Sequence, residues 1–367
     1  MNILMLDSEK TWRGGEVQLD LLMRGLREHG FEPALASPPG SRIGEKEKAL
    51  GFRTFDMPMS GGADLRGALQ LRSLLKKQPF DIVHAHASHA HSVLFLATRG
   101  LSRRPRLVVS RRVDFAVSQN LFSALKYKHG ADVYLAISNG VKKVLRDGGI
   151  VENRIQLVPS GIDLGKFDRL RNTDYLRSEF SLGQSRWIVG SIAALAPHKA
   201  QQDFVEAAAV VDRKLGGVTF FIVGEGELLS RLEQLVAEKK MTGKIIFTGF
   251  RDDPLELLST FHCFVMSSRL EGLCTSIMDA QALGVPVVAT NTGGIPDLID
   301  HEQTGLLAPP GQPERLAENI IRLLTDPALS ERCRSAAKKK AARYDYRTMV
   351  LGTMAAYEQL VAKGKTI

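Results

Sequence analysis

The chain has 367 residues, 44% of them hydrophobic and 24% charged, with a formal net charge of +9. That length suits two domains better than one core, and the composition excludes a fibrous or disordered chain. No run of about 18 apolar residues occurs, so no transmembrane helix is expected.

Taken in chain order, short apolar runs alternate with helical patterns. Met1–Asp7 is too short, and lacks the basic flank, for a secretion signal; it reads as a buried first strand, Asn2–Leu6. The strands Glu32–Ala36, Ile82–Ala85, Leu107–Ser110 and Val133–Ile137 follow. Helical stretches such as Glu16–Glu28, Leu65–Lys76 and Val141–Arg146 lie between them. The pattern then restarts with the strands Trp187–Ser191, Thr219–Val223, Lys244–Thr248, Cys263–Met266 and Val285–Ala289. Helices are expected over Gln201–Lys214, Glu227–Lys239, Thr275–Leu283 and Pro313–Leu324, with a last one over Tyr346–Lys363. Alternation of this kind predicts two consecutive doubly wound parallel sheets covered by helices on both faces. The Pro-Gly turn at Val158–Asp163 opens a connection expected at about 160–185.

Cys263, Cys274 and Cys333 form no Cys-x-x-Cys pair, so neither a zinc knuckle nor a disulfide framework is indicated. A reducing cytoplasm is the expected compartment. Positive charge concentrates at Arg99, Arg103, Arg104, Arg106, Arg111 and Arg112, followed by Lys126, Lys128, Lys142 and Lys143. Such a cluster reads as a solvated surface, or as a face for an anionic membrane or a phosphorylated acceptor. No helix-turn-helix, RNP or zinc-finger signature accompanies it, so no nucleic-acid partner is expected.

Ligands of open parallel sheets bind beyond the carboxyl ends of the strands. Four stretches there carry chemistry. Gly14-Gly15-Glu16 follows the first strand and opens a helix, so its backbone can approach a phosphate closely. Val223-Gly224-Glu225-Gly226 carries half of a dinucleotide fingerprint. Leu229 stands where its third glycine belongs, and no acid follows near Ile245–Phe247, which argues against an NAD-dependent oxidoreductase. Ser267–Ala280 places Glu271 just before a helix, Thr275 and Ser276 where they can cap it, and Asp279 about one turn inside. The two acids suit hydroxyls of a sugar and a ribose, and the helix start suits a diphosphate. Finally, His84, His86, His89 and His91 crowd one segment. No cysteine or acid joins them between residues 82 and 98, so structural histidines, or hydrogen bonds to acceptor hydroxyls, fit better than a metal.

An acid, seven residues, a second acid, then Ala280-x-x-x-Gly284-x-Pro286-Val287-Val288-Ala289 and Gly293-Gly294 resembles the retaining GT-B glycosyltransferases of the family 4-like type. That large family includes sucrose synthase-like, mannosyl and lipopolysaccharide-core transferases. Gly14-Gly15-Glu16, Asp81–His86, Val158–Asp163, Val223–Gly226, Gly249–Arg251 and Thr304–Leu307 match it in the same order. The resemblance implies an α/β GT-B fold, two doubly wound Rossmann-like domains facing across a cleft. Its domains would be an acceptor-binding domain over 1–165, a nucleotide-sugar domain over 183–345, and a segment over 346–367 whose helix packs back on the first. It implies a retaining glycosyltransferase that moves a sugar from a nucleoside-diphosphate sugar to a glycan or glycolipid, in cell-envelope polysaccharide or lipopolysaccharide synthesis. The catalytic residues would be Glu271, Lys199, His86 and Arg112. Gly14, Gly15, Lys199, Gly224, Glu271, Cys274, Thr275, Ser276 and Asp279 would bind the donor. With Lys199 and a helix end on the diphosphate, no metal or other cofactor is expected. The enzyme would be cytoplasmic, peripheral on the inner face of the cell membrane.

The chain departs from the family in three places. Asp279 replaces the usual Glu, Ala194 stands where an Arg is usual, and Arg111-Arg112 occupies the place of a His. The rival readings are a nucleotide-sugar epimerase on the same fold and a non-catalytic nucleotide-sugar-binding protein.

Overall fold

In a computed structural model, residues 1–61, 64–118, 120–182 and 185–363 are described. The expected domain start at 183 and the last four residues of the expected tail, 364–367, lie outside them. The chain divides into two compact units. The first comprises Met1–Gly161 with the helix Tyr346–Lys363, and the second comprises Ile162–Asp345.

The first unit is built on β1 (Ile3–Leu6), β2 (Ala34–Ser37), β3 (Thr54–Asp56), β4 (Ile82–Ala85), β5 (Arg106–Arg111), β6 (Val133–Ala136) and β7 (Ile155–Leu157). They pair in the order β3-β2-β1-β4-β5-β6-β7, parallel throughout. All four residues of β1, β2, β4 and β6 are buried. Helices on both faces explain why these strands are apolar runs and not alternating ones.

The second unit holds β8 (Trp187–Ile192), β9 (Val218–Val223), β10 (Ile245–Gly249), β11 (Cys263–Met266), β12 (Val287–Thr290) and β13 (Leu306–Ala308). Their order is β10-β9-β8-β11-β12-β13, again parallel. β3, β7 and β13 were not among the expected strands. Each has three residues and lies at a sheet edge, too short for a periodic signal.

Strand order reverses between β1 and β4 in one sheet and between β8 and β11 in the other. At such switch points the connecting helices leave to opposite faces and a crevice opens past the strand ends. The residues singled out from the sequence gather at these two places.

The helix Tyr346–Lys363 belongs to the first core. Met349, Val350 and Tyr357 are buried among Leu19, Leu22 and Leu26 of the helix Gly14–Glu28. Each aliphatic side chain so buried contributes about 1.5–3 kcal/mol. The approach is close at Gly25, where an added Cβ would lie 2.4 Å from Val350 Cγ2. On the same helix Gln18 holds the segment before Gly161. Its side-chain amide donates to Gly161 O at 2.8 Å and accepts from Gly161 N at 2.9 Å.

Candidate active site

In the second unit, β8 runs into the loop Ala193–Ala196 and the short 3-10 turn Pro197–Lys199. Lys199 ends that turn. Ala200 takes a left-handed conformation, φ +49°, and the helix Gln201–Leu215 begins. Across the switch point, β11 runs into Ser267–Cys274. That loop is fastened to the turn by Ser267 Oγ donating to Lys199 O at 3.1 Å and Arg269 N donating to His198 O at 2.8 Å. It is fastened on its other side by Gly294 N donating to Glu271 O at 2.8 Å. These ties fix Lys199 and Glu271 side by side. The Lys199 ammonium donates to Glu271 Oε2 at 2.5 Å, and Ser268 Oγ also donates to that oxygen at 3.3 Å.

The helix Thr275–Leu283 starts three residues after Gly272. The expectation that Thr275 and Ser276 cap it needs correction. Cys274 is the residue before the first helical turn, with φ −81° and ψ 104°, and no side chain caps the helix. Thr275 is already helical, so its hydroxyl lies too far along to take the usual capping position. The uncapped start leaves backbone donors and the positive end of the helix dipole open to an anion. Burial pushes the Cys274 thiol up to about 12, so it stays protonated and offers no thiolate. One turn on, Asp279 Oδ1 accepts from Lys166 at 2.6 Å. Burial raises its pKa, and the Lys166 charge and hydrogen bond oppose that rise.

Gly224 has φ +129°, and a Cβ there would sit 2.2 Å from Ala193 O. Glycine is required by the chain's own packing at this position. Gly14 and Gly15 are different: they are the first two residues of their helix, and a Cβ at either would meet nothing within 4 Å. Nothing in the protein itself demands glycine there, which leaves the backbone free for an external group. Ala194, where the resemblance would place an arginine, presents its carbonyl to Gln201 Nε2 at 2.8 Å.

At the switch point of the first unit, β4 delivers His84 and then His86, with ring centroids 4.0 Å apart. His84 is pinned on both sides, Nδ1 at 2.6 Å from the Tyr357 hydroxyl and Nε2 at 2.9 Å from Ser110 Oγ. It is a structural histidine. Arg112, just past β5, donates to His86 Nδ1 at 3.3 Å and to Ser160 Oγ at 3.4 Å. Receiving a guanidinium N–H at Nδ1 places the imidazole proton on Nε2. Burial, His84 and Arg112 hold the His86 pKa well below its ordinary value, so the ring is neutral. Its Nε2 and the Arg112 Nε are buried and make no hydrogen bond among the described residues. A neutral donor and a guanidinium N–H therefore await an acceptor atom at this switch point. Burial lowers the Arg112 pKa to about 10, still charged at neutral pH, against the pull of Glu16 and Asp7.

Sequence reasoning missed Asp7 as a site residue. It follows β1, is 2% exposed, and accepts from Glu9 N at 3.1 Å. Burial, and next the Glu16 carboxylate, push its pKa up to about 7. Glu16 is buried too; it accepts from Arg13 N at 2.6 Å, closing the helix start. The signal was an acid directly after an apolar strand at its carboxyl end. The basic cluster also reads differently in place. Lys126 is buried, Arg111 and Arg112 are partly so, and Arg104, Lys142 and Lys143 pair with Asp132, Glu152 and Asp147. Only part of that charge is a solvated face, because Arg111 ends an interior strand of the sheet and Lys126 lies on the inner side of the helix Leu121–His129. Among the described residues, no group of three or more His, Cys, Asp or Glu is placed to hold a metal ion. No helix among them is long and apolar enough to cross a membrane.

The chain matches two family models. Residues 12–166 match Glycosyltransferase Family 4, and residues 173–340 match Glycosyl transferases group 1. It is 28% identical to the N-acetyl-alpha-D-glucosaminyl L-malate synthase of Bacillus anthracis, over 72% of this chain and 71% of that one. It is 27% identical to an Escherichia coli UDP-Gal:alpha-D-GlcNAc-diphosphoundecaprenol alpha-1,3-galactosyltransferase, over 74% of each. In structure it is similar to Anabaena HepE, solved in complex with UDP-glucose. The TM-score is 0.82 at 20% identity, covering 100% of this chain and 99% of that one.

Proposed function

The chain belongs to the GT-B glycosyltransferases of the family 4-like type, and from that premise we propose that it is a retaining enzyme with its donor site in the second unit. It moves a sugar from a nucleoside-diphosphate sugar to a glycan or glycolipid acceptor, in cell-envelope polysaccharide or lipopolysaccharide synthesis. The observation that carries this reading is the Lys199–Glu271 pair at the β8/β11 switch point, beside the uncapped start of Thr275–Leu283. Breaking a glycosyl–phosphate bond builds charge on the leaving diphosphate, and a fixed ammonium with a helix end stabilises it.

In this reading Lys199 and the N–H groups near Cys274, Thr275 and Ser276 hold the phosphates. Glu271 accepts from a hydroxyl of the donor sugar, and Asp279 accepts from the ribose. Gly224 keeps the β9 turn flat beside the nucleoside, and Gly14 and Gly15 leave room for the β-phosphate or the sugar. His86 donates from Nε2 to an oxygen of the reacting sugars, and Arg112 orients it. No metal is required. Relatives and neighbours whose names include UDP-Gal, GDP-mannose or UDP-glucose support a nucleotide-sugar donor. The protein works in the cytoplasm at the inner face of the membrane. Leu121 and Leu125, exposed on one helix with Lys128, support that placement.

A melting-temperature panel with UDP, GDP, ADP, CMP and NAD, each with and without magnesium, tests the donor reading, since a ligand bound only to the native state raises the midpoint. Stabilisation by one nucleoside diphosphate, independent of magnesium and lost in Lys199→Ala, is expected. Stabilisation by NAD alone, or dependence on magnesium, would refute it. Sedimentation with anionic vesicles tests the membrane face; binding must weaken as salt rises.

A further inference from the structure

The donor reading leaves one built feature of the first unit unused. A cavity of about 280 Å³ lies past the end of β5, bounded by Ser88, Ser92, Arg111, Ser118, Lys126 and Tyr127. It is cationic in an unusual way. Lys126 is 6% exposed, and its ammonium donates to Ser92 Oγ at 3.2 Å. Among the described residues, no carboxylate forms an ion pair with Lys126 or with Arg111.

Arg111 is fixed in place. Its Nε donates to Val113 O at 3.1 Å, and its terminal nitrogens donate to the Tyr127 hydroxyl and Phe115 O, both at 2.6 Å. Its charge therefore stays in the cavity wall, with no counterion among the described residues. Burial, and next the Arg111 charge, lower the Lys126 pKa to about 8. Buried charges are normally paired, because an isolated one is costly to desolvate. Two cations in one cavity wall, with hydroxyls around them and no acid, form a site with the counter-charge left out. The helix Ser88–Thr98 adds to this: it begins at the cavity with Ser88, and no side chain caps it.

We propose that this cavity is an anion subsite that holds a phosphate or carboxylate group carried by the acceptor. The ammonium of Lys126 and the uncapped N–H groups at Ser88 bind the anion, and Arg111 supplies charge from behind. The cavity lies near the lower end of small-molecule sites, about 300–1,000 Å³, so it suits a head group and not a polymer. The acceptor assignment rests on the transferase reading; the anion site itself does not.

Isothermal titration of the full chain with inorganic phosphate and, separately, with succinate tests the proposal, with the nucleoside diphosphate found by the melting panel titrated in parallel. At least one anion is expected to bind, and the stronger one names the group. Lys126→Met keeps the stem and removes the charge, so it should weaken that anion about tenfold or more while leaving the nucleoside diphosphate unchanged. Its melting temperature should equal or exceed that of the parent, since an unpaired buried charge is gone. Ser118→Asp, at the exposed rim, supplies an internal carboxylate and should weaken the anion as well without threatening the fold. Failure of both anions to bind a chain that still binds its nucleoside diphosphate would overturn the subsite, as would equal binding by the parent and Ser118→Asp. Absence of binding by every nucleoside diphosphate of the melting panel, with Lys126-dependent phosphate binding intact, would instead sink the transferase reading and the acceptor assignment with it.

Discussion

Glu271 and Lys199 are expected to respond to substitution with opposite signs in nucleotide binding. The side chains are 11% and 18% exposed and 2.5 Å apart. In the free protein the carboxylate occupies the ammonium that the diphosphate needs. Lys199→Ala removes charge-assisted bonds worth about 1.5–3 kcal/mol, or about 10- to 150-fold in affinity. It also leaves a carboxylate beside the incoming phosphates, which adds to the loss. Glu271→Gln frees the ammonium, so the nucleoside diphosphate should bind at least as tightly as to the parent. Turnover should still fall about tenfold or more, because the amide is a weaker acceptor for the sugar hydroxyl. Calorimetry at fixed ionic strength, with the nucleoside diphosphate found by the melting panel, reads the first effect. Release of that nucleotide from its sugar conjugate reads the second. The double variant closes a cycle that isolates the coupling. If Glu271→Gln weakens the nucleotide as much as Lys199→Ala does, the competition argument is wrong and the pair is a structural ion pair.

Other consequences follow from the first unit. Asp7 has a folded pKa near 7, above its ordinary 3.8, so its contribution to stability is full below the unfolded value and is lost as pH rises through about 7. Asp7→Asn should remove that slope and raise stability at pH 8 but not at pH 4, by up to a few kcal/mol, read as a higher melting temperature at pH 8 alone. His86→Gln, which keeps a donor, should lose less turnover than His86→Ala, with nucleotide affinity unchanged in both. The parent's rate should show no titration near 6.5 from this residue, whose pKa lies well below that value. Gly25→Ala puts a methyl group into Val350, which is fully buried and branched at Cβ, and should cost about 1–3 kcal/mol, read as a lower urea midpoint.

Much of this architecture was legible in the chain itself. The ten apolar runs identified as strands are strands, because a strand buried on both faces must be apolar at every position. The three edge strands escaped notice because three residues are too few to carry a pattern. Lys199 and Glu271 were found by pattern, but their mutual ion pair was not, since a spacing of 72 residues carries no geometric signal. The pinning of His84 by Tyr357 spans 273 residues and was equally hidden. Thr275 misled because threonine is a common capping residue; the loop after β11 ends one residue earlier, on Cys274. The charge clusters misled because burial is a tertiary property. Lys126 and Lys128 look alike in sequence, yet one lines a cavity and the other faces solvent.

The helix Tyr346–Lys363 makes the first unit discontinuous, with its partner strands and helices made long before it. On the ribosome, Ile162–Asp345 emerges as an unbroken stretch that holds everything its own sheet needs. The earlier-made unit must wait with the groove for Met349, Val350 and Tyr357 open. Domains usually close in order of synthesis. Here the order is inverted: the half that starts first finishes last, and the leucines along Gly14–Glu28 are covered only when the final helix has been made.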